Sequence, residues 1–288
     1  MEISVVIATR NRAGQLARCL ESFSRLRYDH PFELVIVDNG STDETPRVLA
    51  ELKNSSTFPL KLVTEPIPGL GRARNSGWRA ASGRIIAFTD DDCYPAEDWL
   101  TAIHTCFTEN GTLAFLGGRI LLHDATDGPI TIQLLERREV VPPGSFVPAG
   151  LIQGANFSFT RQALEAVGGF DPLLGAGTPF GCEDVEILAR LSGSAFAGAY
   201  DPRPLVYHHH GRKTVIELTS LMNGYDYGRG AYYMKCILDP GLRSRYLRSW
   251  LSAMIRQGRM RSLRELIGAL RYLGYRFRAE RVTNTSKK

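Results

Sequence analysis

Over the first 110 residues the apolar positions come in two alternating kinds. Short, nearly unbroken apolar runs at residues 2–8, 33–37, 60–64 and 84–89 read as strands buried on both faces. Between them the apolar residues fall at helical spacing. Leu16, Leu20, Phe23 and Leu26 predict one helix. Thr42 or Asp43 can cap a second that runs through Leu52. Residues 72–81 predict a third, ended by Ser82-Gly83, and residues 96–108 a fourth. Strand–helix alternation of this kind implies right-handed crossovers and a mostly parallel sheet with helices on both faces. Ligands of such sheets bind outside the carboxyl ends of the strands. Thr9-Arg10, Asp38 and Asp90 all fall at such ends, so three separate segments are expected to converge on one crevice.

After Gly111 the pattern loosens. Residues 113–122 read as a strand. Residues 123–150 are rich in Pro, Gly and charge, with a short helical piece near residues 132–138. Residues 151–160 predict a strand, 161–167 a helix, 184–191 a helix, and 205–210 the last clear strand. Gly168-Gly169-Phe170-Asp171-Pro172 and residues 175–181 form a glycine-rich connection. Beyond Thr214 the chain reads as helical almost to its end, broken at Asp239-Pro240-Gly241, with a frayed polar tail after about Thr283. The expected division is an α/β domain over residues 1–212, split near residue 110, and a helical extension over residues 213–288.

Composition adds exclusions. With 43% hydrophobic and 23% charged residues in 288, the chain resembles an ordinary globular protein able to bury a sizeable core. No apolar stretch is long enough to span a bilayer. Met1 leads almost directly into the first strand, which leaves no basic leader and points to the cytoplasm. Cys19, Cys93, Cys106, Cys182 and Cys236 are odd in number and scattered, against a disulfide framework and against a structural zinc site. Charge is uneven: after residue 240, thirteen Lys/Arg stand against Glu265 and Glu280, a net +11, and the preceding body carries −6. Such a tail calls for an anionic partner.

The chemistry centres on Asp90-Asp91-Asp92 at the end of the fourth strand. Three adjacent carboxylates repel one another, and the arrangement makes sense where a cation is held. Mg²⁺ or Mn²⁺ prefers carboxylate oxygens and shares its site with substrate phosphates. A solvated acidic turn capping the next helix is the plainer reading of the triplet alone. A second acidic pair, Glu183-Asp184, opens a predicted helix, where capping alone could explain it.

Seven pieces carry a family resemblance. They are Val5-Val6-Ile7-Ala8-Thr9-Arg10-Asn11-Arg12, Val35-Ile36-Val37-Asp38-Asn39-Gly40-Ser41-Thr42-Asp43, Gly69-Leu70-Gly71-Arg72-Ala73-Arg74-Asn75-Ser76-Gly77 and Phe88-Thr89-Asp90-Asp91-Asp92. Gly154-Ala155-Asn156-Phe157-Ser158-Phe159, Gly168-Gly169-Phe170-Asp171 and Glu183-Asp184 complete them. In this order and spacing the chain resembles the inverting glycosyltransferase family 2 enzymes of GT-A fold, over roughly residues 3–210. The resemblance implies a nucleotide-sugar half at 1–110 and an acceptor half at 111–212. It implies that the triplet is the family's D-x-D motif, with Asp92 on a Mn²⁺ or Mg²⁺ ion bridging the donor diphosphate and Asp90 facing the ribose. Asp91 points the other way if the segment stays extended, toward the donor sugar or the metal's surroundings. Asp38 matches the carboxylate that takes a hydrogen bond from the base; uracil's imide N–H suits it, although an Asx-turn would also use Asp38. Thr9 and Arg10 would line the other wall. Arg74, at a helix start, would attract phosphate. Asp184 matches the catalytic base, with Glu183 orienting it or binding the acceptor beside Asn156. His208 matches a family metal ligand, with His210 as the fallback on the same face of an extended chain.

The resemblance therefore implies transfer of a sugar from a nucleotide diphosphate, a UDP-sugar first, to a hydroxyl of a glycan or lipid-linked acceptor in surface polysaccharide or glycolipid synthesis. A nucleic acid is not among the expected partners. A sugar-phosphate nucleotidyltransferase shares the sheet and the metal but would carry a G-x-G-x-R loop where Ala8-Thr9-Arg10-Asn11-Arg12 stands. A non-catalytic nucleotide-sugar-binding module would have no use for the intact triplet and Glu183-Asp184. In the tail, Leu247, Trp250, Leu251, Met254 and Ile255 share one helical face, and Leu263, Leu266, Ile267, Leu270 and Leu273 another, with arginines around them. That pattern suits a helix lying on an anionic membrane or one packed on the domain with a solvated basic face.

Overall fold

The computed structural model describes residues 1–56 and 58–285. The first half alternates β1 (Ile3–Thr9), α1 (Ala13–Phe23), β2 (Phe32–Asp38), α2 (Thr45–Ser55), β3 (Leu60–Thr64), α3 (Leu70–Ala80) and β4 (Ile85–Asp90). These four strands pair in parallel in the order β3-β2-β1-β4, as the alternation requires. Their unbroken apolar runs have a simple cause. Val5 and Ile7 point into one core with Leu16, Leu20 and Phe23 of α1, while Val6 points into a second core with Ala73 and Trp78 of α3. A strand covered on both sides needs an apolar residue at every position. Helix α3 lies so close to the sheet that a Cβ on Gly77 would collide with Val6.

The second half is β5 (Cys93–Pro95), α4 (Trp99–Glu109), β6 (Leu113–Leu122), β7 (Glu139–Val141), β8 (Asn156–Thr160), α5 (Arg161–Val167), α6 (Glu183–Gly193) and β9 (Ala197–His208). Here the sheet is mixed. Strand β8 runs antiparallel to β4 and β6, β6 and β9 are parallel, and β5 and β7 run antiparallel to β9. The helical piece expected near residues 132–138 is not formed. Gln133 instead exchanges backbone hydrogen bonds with Ile120 at 2.9 and 3.1 Å, and Tyr200 Oη donates to the Leu135 carbonyl. That pairing uses both backbone groups of Gln133, which a helix there would need. The three-residue β5 has too few positions to show a period, and the sequence did not reveal it.

Three helices complete the chain: α7 (Val215–Leu238), α8 (Arg243–Arg256) and α9 (Arg259–Thr285). Thr214 and Glu217 form a capping box at the start of α7. Helices α7 and α9 cross closely, backbone to backbone: a Cβ on Gly230 would strike the Glu265 carbonyl, and one on Gly268 the Tyr227 carbonyl. Val185 and Ala189 of α6 share a core with Tyr232, Tyr246, Trp250 and Ala269, so the extension is packed on the domain. The fully buried Glu265 carboxylate ties the three helices together. It accepts Arg229 Nε at 2.6 Å, Trp250 Nε1 at 2.8 Å and Gln257 Nε2 at 2.9 Å. Removing one partner of a buried ion pair costs about 3–5 kcal/mol. Arg229 keeps a second partner in Asp226, so Glu265→Ala is expected to lower unfolding free energy by the lower end of that range. A denaturant titration with wild-type stability would show that the network does not hold the extension.

Candidate active site

The parallel strands end together. Thr9 is opposite Asp38, and Ala8 is opposite Asp90. A cleft of about 870 Å³ opens above them, within the size range of small-molecule sites. Its floor holds Thr9, Arg10, Arg12 and the acidic triplet. Gly154 and the Glu183-Asp184 pair stand across from them, and Arg212, Ser220, Leu221, Gly224, Tyr225 and Arg229 form one wall. Ser220, Leu221, Gly224, Tyr225 and Arg229 come from α7, beyond the boundary expected at residue 212.

Strand β4 stops at Asp90, and the chain turns there, so the triplet does not stay extended. Asp91 consequently turns inward. It accepts the Thr9 hydroxyl at 2.7 Å and lies 3.2 Å from Arg12 Nη1. Burial pushes its carboxyl up to about 7, with Arg12 opposing the rise. Asp91 still lines the cleft, where it shares Arg12 with Asp92 and engages the Thr9 hydroxyl. Asp92 takes a different environment. Its carboxylate is 2.7 Å from Arg12 Nη2 and 3.3 Å from His208 Nε2. Burial opposes its ionisation, but His208 and Arg12 outweigh that and hold the carboxyl below its ordinary value. For His208 burial works downward, and the Asp92 bond and charge lift it above the ordinary histidine value. The second ring nitrogen of His208 lies 3.3 Å from the Thr131 carbonyl, which fixes the ring orientation.

Asp92, Cys93 and His208 bring ligand atoms within 4.8 Å of one another. A carboxylate and an imidazole fit Mn²⁺ or Mg²⁺, with Mn²⁺ somewhat favoured. Burial and the neighbouring Asp92 raise the Cys93 thiol well above its ordinary value, so it stays neutral and suits a hard cation poorly. Arg12 lays its guanidinium against the same two carboxylates, which shows that this spot attracts positive charge. His210 is turned elsewhere. Its Nε2 is 3.1 Å from the Gly128 carbonyl, and its Nδ1 accepts the Arg212 amide at 3.0 Å.

Arg74 is buried rather than presented to phosphate. Nη1 meets Glu183 Oε1 at 2.6 Å, and Nη2 meets Asp90 Oδ1 at 3.1 Å and the Gly154 carbonyl at 3.0 Å. One guanidinium therefore spans both acidic motifs. Burial pushes Glu183 up to about 7, against the pull of Arg74. Glu183 is closed off by this pair, whereas Asp184 is half-buried at the cleft. Its Oδ2 accepts the Gly154 amide at 3.0 Å and its Oδ1 the Val185 amide at 2.8 Å. Asp38 sits in the expected turn and accepts the Ser41 amide at 2.9 Å. Arg10 is exposed at the floor of the cleft.

Asn156 is not placed to hold an acceptor. It is buried, accepts Trp99 Nε1 at 2.9 Å, and donates to the Arg119 and Pro204 carbonyls at 2.9 Å each. It pins α4, β6 and β9 together. Asn156→Ala is expected to cost about 2–3 kcal/mol from its three hydrogen bonds, with acceptor KM unchanged in the folded fraction. A raised acceptor KM at wild-type stability would return Asn156 to the site. The sequence also missed Arg12, which ends the run that follows the first strand with no distinguishing mark, and Tyr225, which lies on a helix whose pattern gives no hint of a cleft.

The mixed sheet, the cleft at the strand ends and the two facing acidic motifs define a GT-A fold. Residues 4–137 match the family model described as Glycosyl transferase family 2. That match covers a little under half of the chain, and over it the chain is similar to glycosyltransferase family 2. Glycosyltransferase AglE of Haloferax volcanii is 26% identical over 188 residues, covering 57% of this chain and 62% of that protein. The pre-mycofactocin glycosyltransferase of Mycobacterium tuberculosis is 28% identical over 220 residues, 73% of this chain and 43% of that protein. The chain thus spans about two fifths to three fifths of these relatives. Among solved structures, S. aureus TarS 1–349 superposes with a TM-score of 0.63 at 18% identity, covering 85% of this chain and 68% of that one. The mannosyltransferase PcManGT of Pyrobaculum calidifontis, solved with GDP-Man and Mn²⁺, gives 0.58 at 18% identity, covering 94% and 80%.

Proposed function

We propose that the protein is a metal-dependent, inverting glycosyltransferase. It would move a sugar from a nucleotide diphosphate to a hydroxyl of a glycan or lipid-linked acceptor, in surface polysaccharide or glycolipid synthesis. The observation that carries this reading is the pairing of Asp92 with His208 at 3.3 Å, in the same cleft as a half-buried Asp184. Asp92 and His208 would hold the divalent ion. Such an ion, when bound, supplies positive charge to the departing diphosphate. TarS has also been solved with UDP and with UDP-GlcNAc, which favours a UDP-sugar as the donor here. Asp38 supports the same choice, because a carboxylate with one oxygen on Ser41 still has acceptor capacity for an imide N–H.

The residues divide the work. Asp184 takes the proton of the acceptor hydroxyl as that oxygen attacks the anomeric carbon. The bond from that carbon to the diphosphate oxygen breaks, and its electron pair leaves with the diphosphate. The Gly154 and Val185 amides hold the Asp184 carboxylate in place at the cleft. Arg74, between Glu183 and Asp90, fixes the distance between the two acidic motifs. Arg10 and Arg12 supply positive charge near the phosphates, and Arg212 and Tyr225 form the acceptor-side wall. Titration calorimetry with UDP, GDP, ADP and CDP, each with and without Mn²⁺, tests the reading. UDP is expected to bind most tightly, and only with the metal. Absence of binding by every nucleotide in both conditions would overturn it.

A further inference from the structure

The C-terminal helices have more apolar surface than their packing uses. Helix α8 buries Tyr246 and Trp250 yet leaves Leu247, Leu251 and Ile255 exposed, four residues apart and so on one stripe. Helix α9 buries Ala269 and Tyr272 yet leaves Leu263, Leu266 and Leu270 exposed. Ile255 is 85% and Leu270 67% exposed, which a helix serving only as a structural brace has no reason to show. The tail is therefore both packed on the domain and apolar on its outer side.

The charges sort in the same way. Arg229, Arg261 and Arg264 turn inward to Asp226 and Glu265. Arg243, Arg248 and Arg256 meet no carboxylate among the described residues; their Nε atoms donate to the backbone carbonyls of Ile237, Ser244 and Ser252. The acidic residue whose side chain is described beyond residue 240 is Glu265, and it is fully buried. The outward side of α8 thus presents leucines, an isoleucine and unneutralised arginines, and that of α9 presents leucines. Helix α9 alone extends 27 residues, about 40 Å, and among the described residues no helix is long and apolar enough to cross a membrane.

We propose that the outer face of α8 and α9 docks flat on an anionic lipid surface, with the apolar stripes entering the headgroup boundary and the arginines meeting lipid phosphates. Charge complementarity selects this occupant. A second copy would set arginine against arginine across a self-complementary interface. The proposal concerns where the protein sits and stands apart from the reaction proposed above.

Co-sedimentation with vesicles tests it on the full chain. Two double variants change the face without touching the cleft: L251E/L270E removes apolar contact, and R248E/R256E reverses charge. Thermal melts matching wild type confirm that both fold. Wild type is expected to sediment with phosphatidylcholine–phosphatidylglycerol vesicles at low salt and to be released at high salt. It is expected to stay largely free of pure phosphatidylcholine. R248E/R256E is expected to lose at least about tenfold in partitioning, since each basic residue near the surface counts for roughly fivefold, and L251E/L270E a comparable amount through lost apolar burial. No binding to anionic vesicles overturns the proposal, as does equal, salt-insensitive partitioning of wild type and variants. A dimer in sedimentation velocity that L251E/L270E dissolves would assign the face to a second copy. Capture by soluble polyglutamate without vesicle binding would assign it to an acidic protein. Either result would overturn the lipid assignment.

Discussion

Asp184→Asn is expected to bind donor as wild type does and to lose turnover by about 10²-fold or more. The amide is nearly isosteric, and its single oxygen can keep one of the two amides that the carboxylate accepts on separate oxygens, Gly154 on Oδ2 or Val185 on Oδ1, so a modest loss of stability is expected with the fold retained. It cannot take a proton from the acceptor. A positioned general base contributes typically 10²–10⁴ in rate, and that is the scale of the expected loss. Glu183 is a poor substitute, since it is buried with its carboxylate on Arg74 at 2.6 Å. The informative readout is kcat at saturating donor and acceptor, beside the UDP affinity measured by calorimetry. Near-normal kcat would mean that another group takes the proton. Lost UDP affinity would mean that Asp184 shapes the donor pocket instead.

Asp92→Ala is expected to remove metal-dependent donor binding. Its carboxylate is the group shared by His208 at 3.3 Å and Arg12 at 2.7 Å. Without it the imidazole remains as a lone ligand, and Arg12 keeps only Asp91. Lewis-acid stabilisation at a phosphoryl oxygen is worth several kcal/mol, so Mn²⁺-dependent UDP affinity should fall by about 10²-fold or more. The fold should survive, because removing one of three neighbouring carboxylates relieves repulsion. Unchanged UDP affinity in Mn²⁺ would place the metal elsewhere.

The parallel half of the sheet was legible because both of its faces are buried. Val5, Val6 and Ile7 must all be apolar when alternate residues enter different cores, and a run of that kind has few other readings. The acidic motifs were legible for the opposite reason, since Asp90-Asp91-Asp92 at a strand end repel one another unless something positive is near. What could not be read depends on contacts far apart in the chain. Arg74 reaches Glu183 across 109 positions, and nothing near Arg74 distinguishes it from a surface phosphate binder. Asn156 has the residue type of an acceptor contact, but it is spent on Trp99, Arg119 and Pro204. Residues 132–138 carried local helical spacing, and pairing of Gln133 with Ile120 overrode it. For the tail, spacing showed two apolar stripes and offered membrane or domain as alternatives. The fold gives each helix a packed side and an exposed side, which spacing alone could not separate.

The most direct test of the central claim is release of nucleoside diphosphate from sugar nucleotides, followed with Mn²⁺, with EDTA, and with Mn²⁺ restored in excess. Metal-dependent glycosyl transfer predicts UDP release from a UDP-sugar in Mn²⁺, loss of that release in EDTA, recovery on adding Mn²⁺ back, and none of these in Asp92→Ala. Release that continues unchanged in EDTA, or that persists in Asp92→Ala, would contradict it.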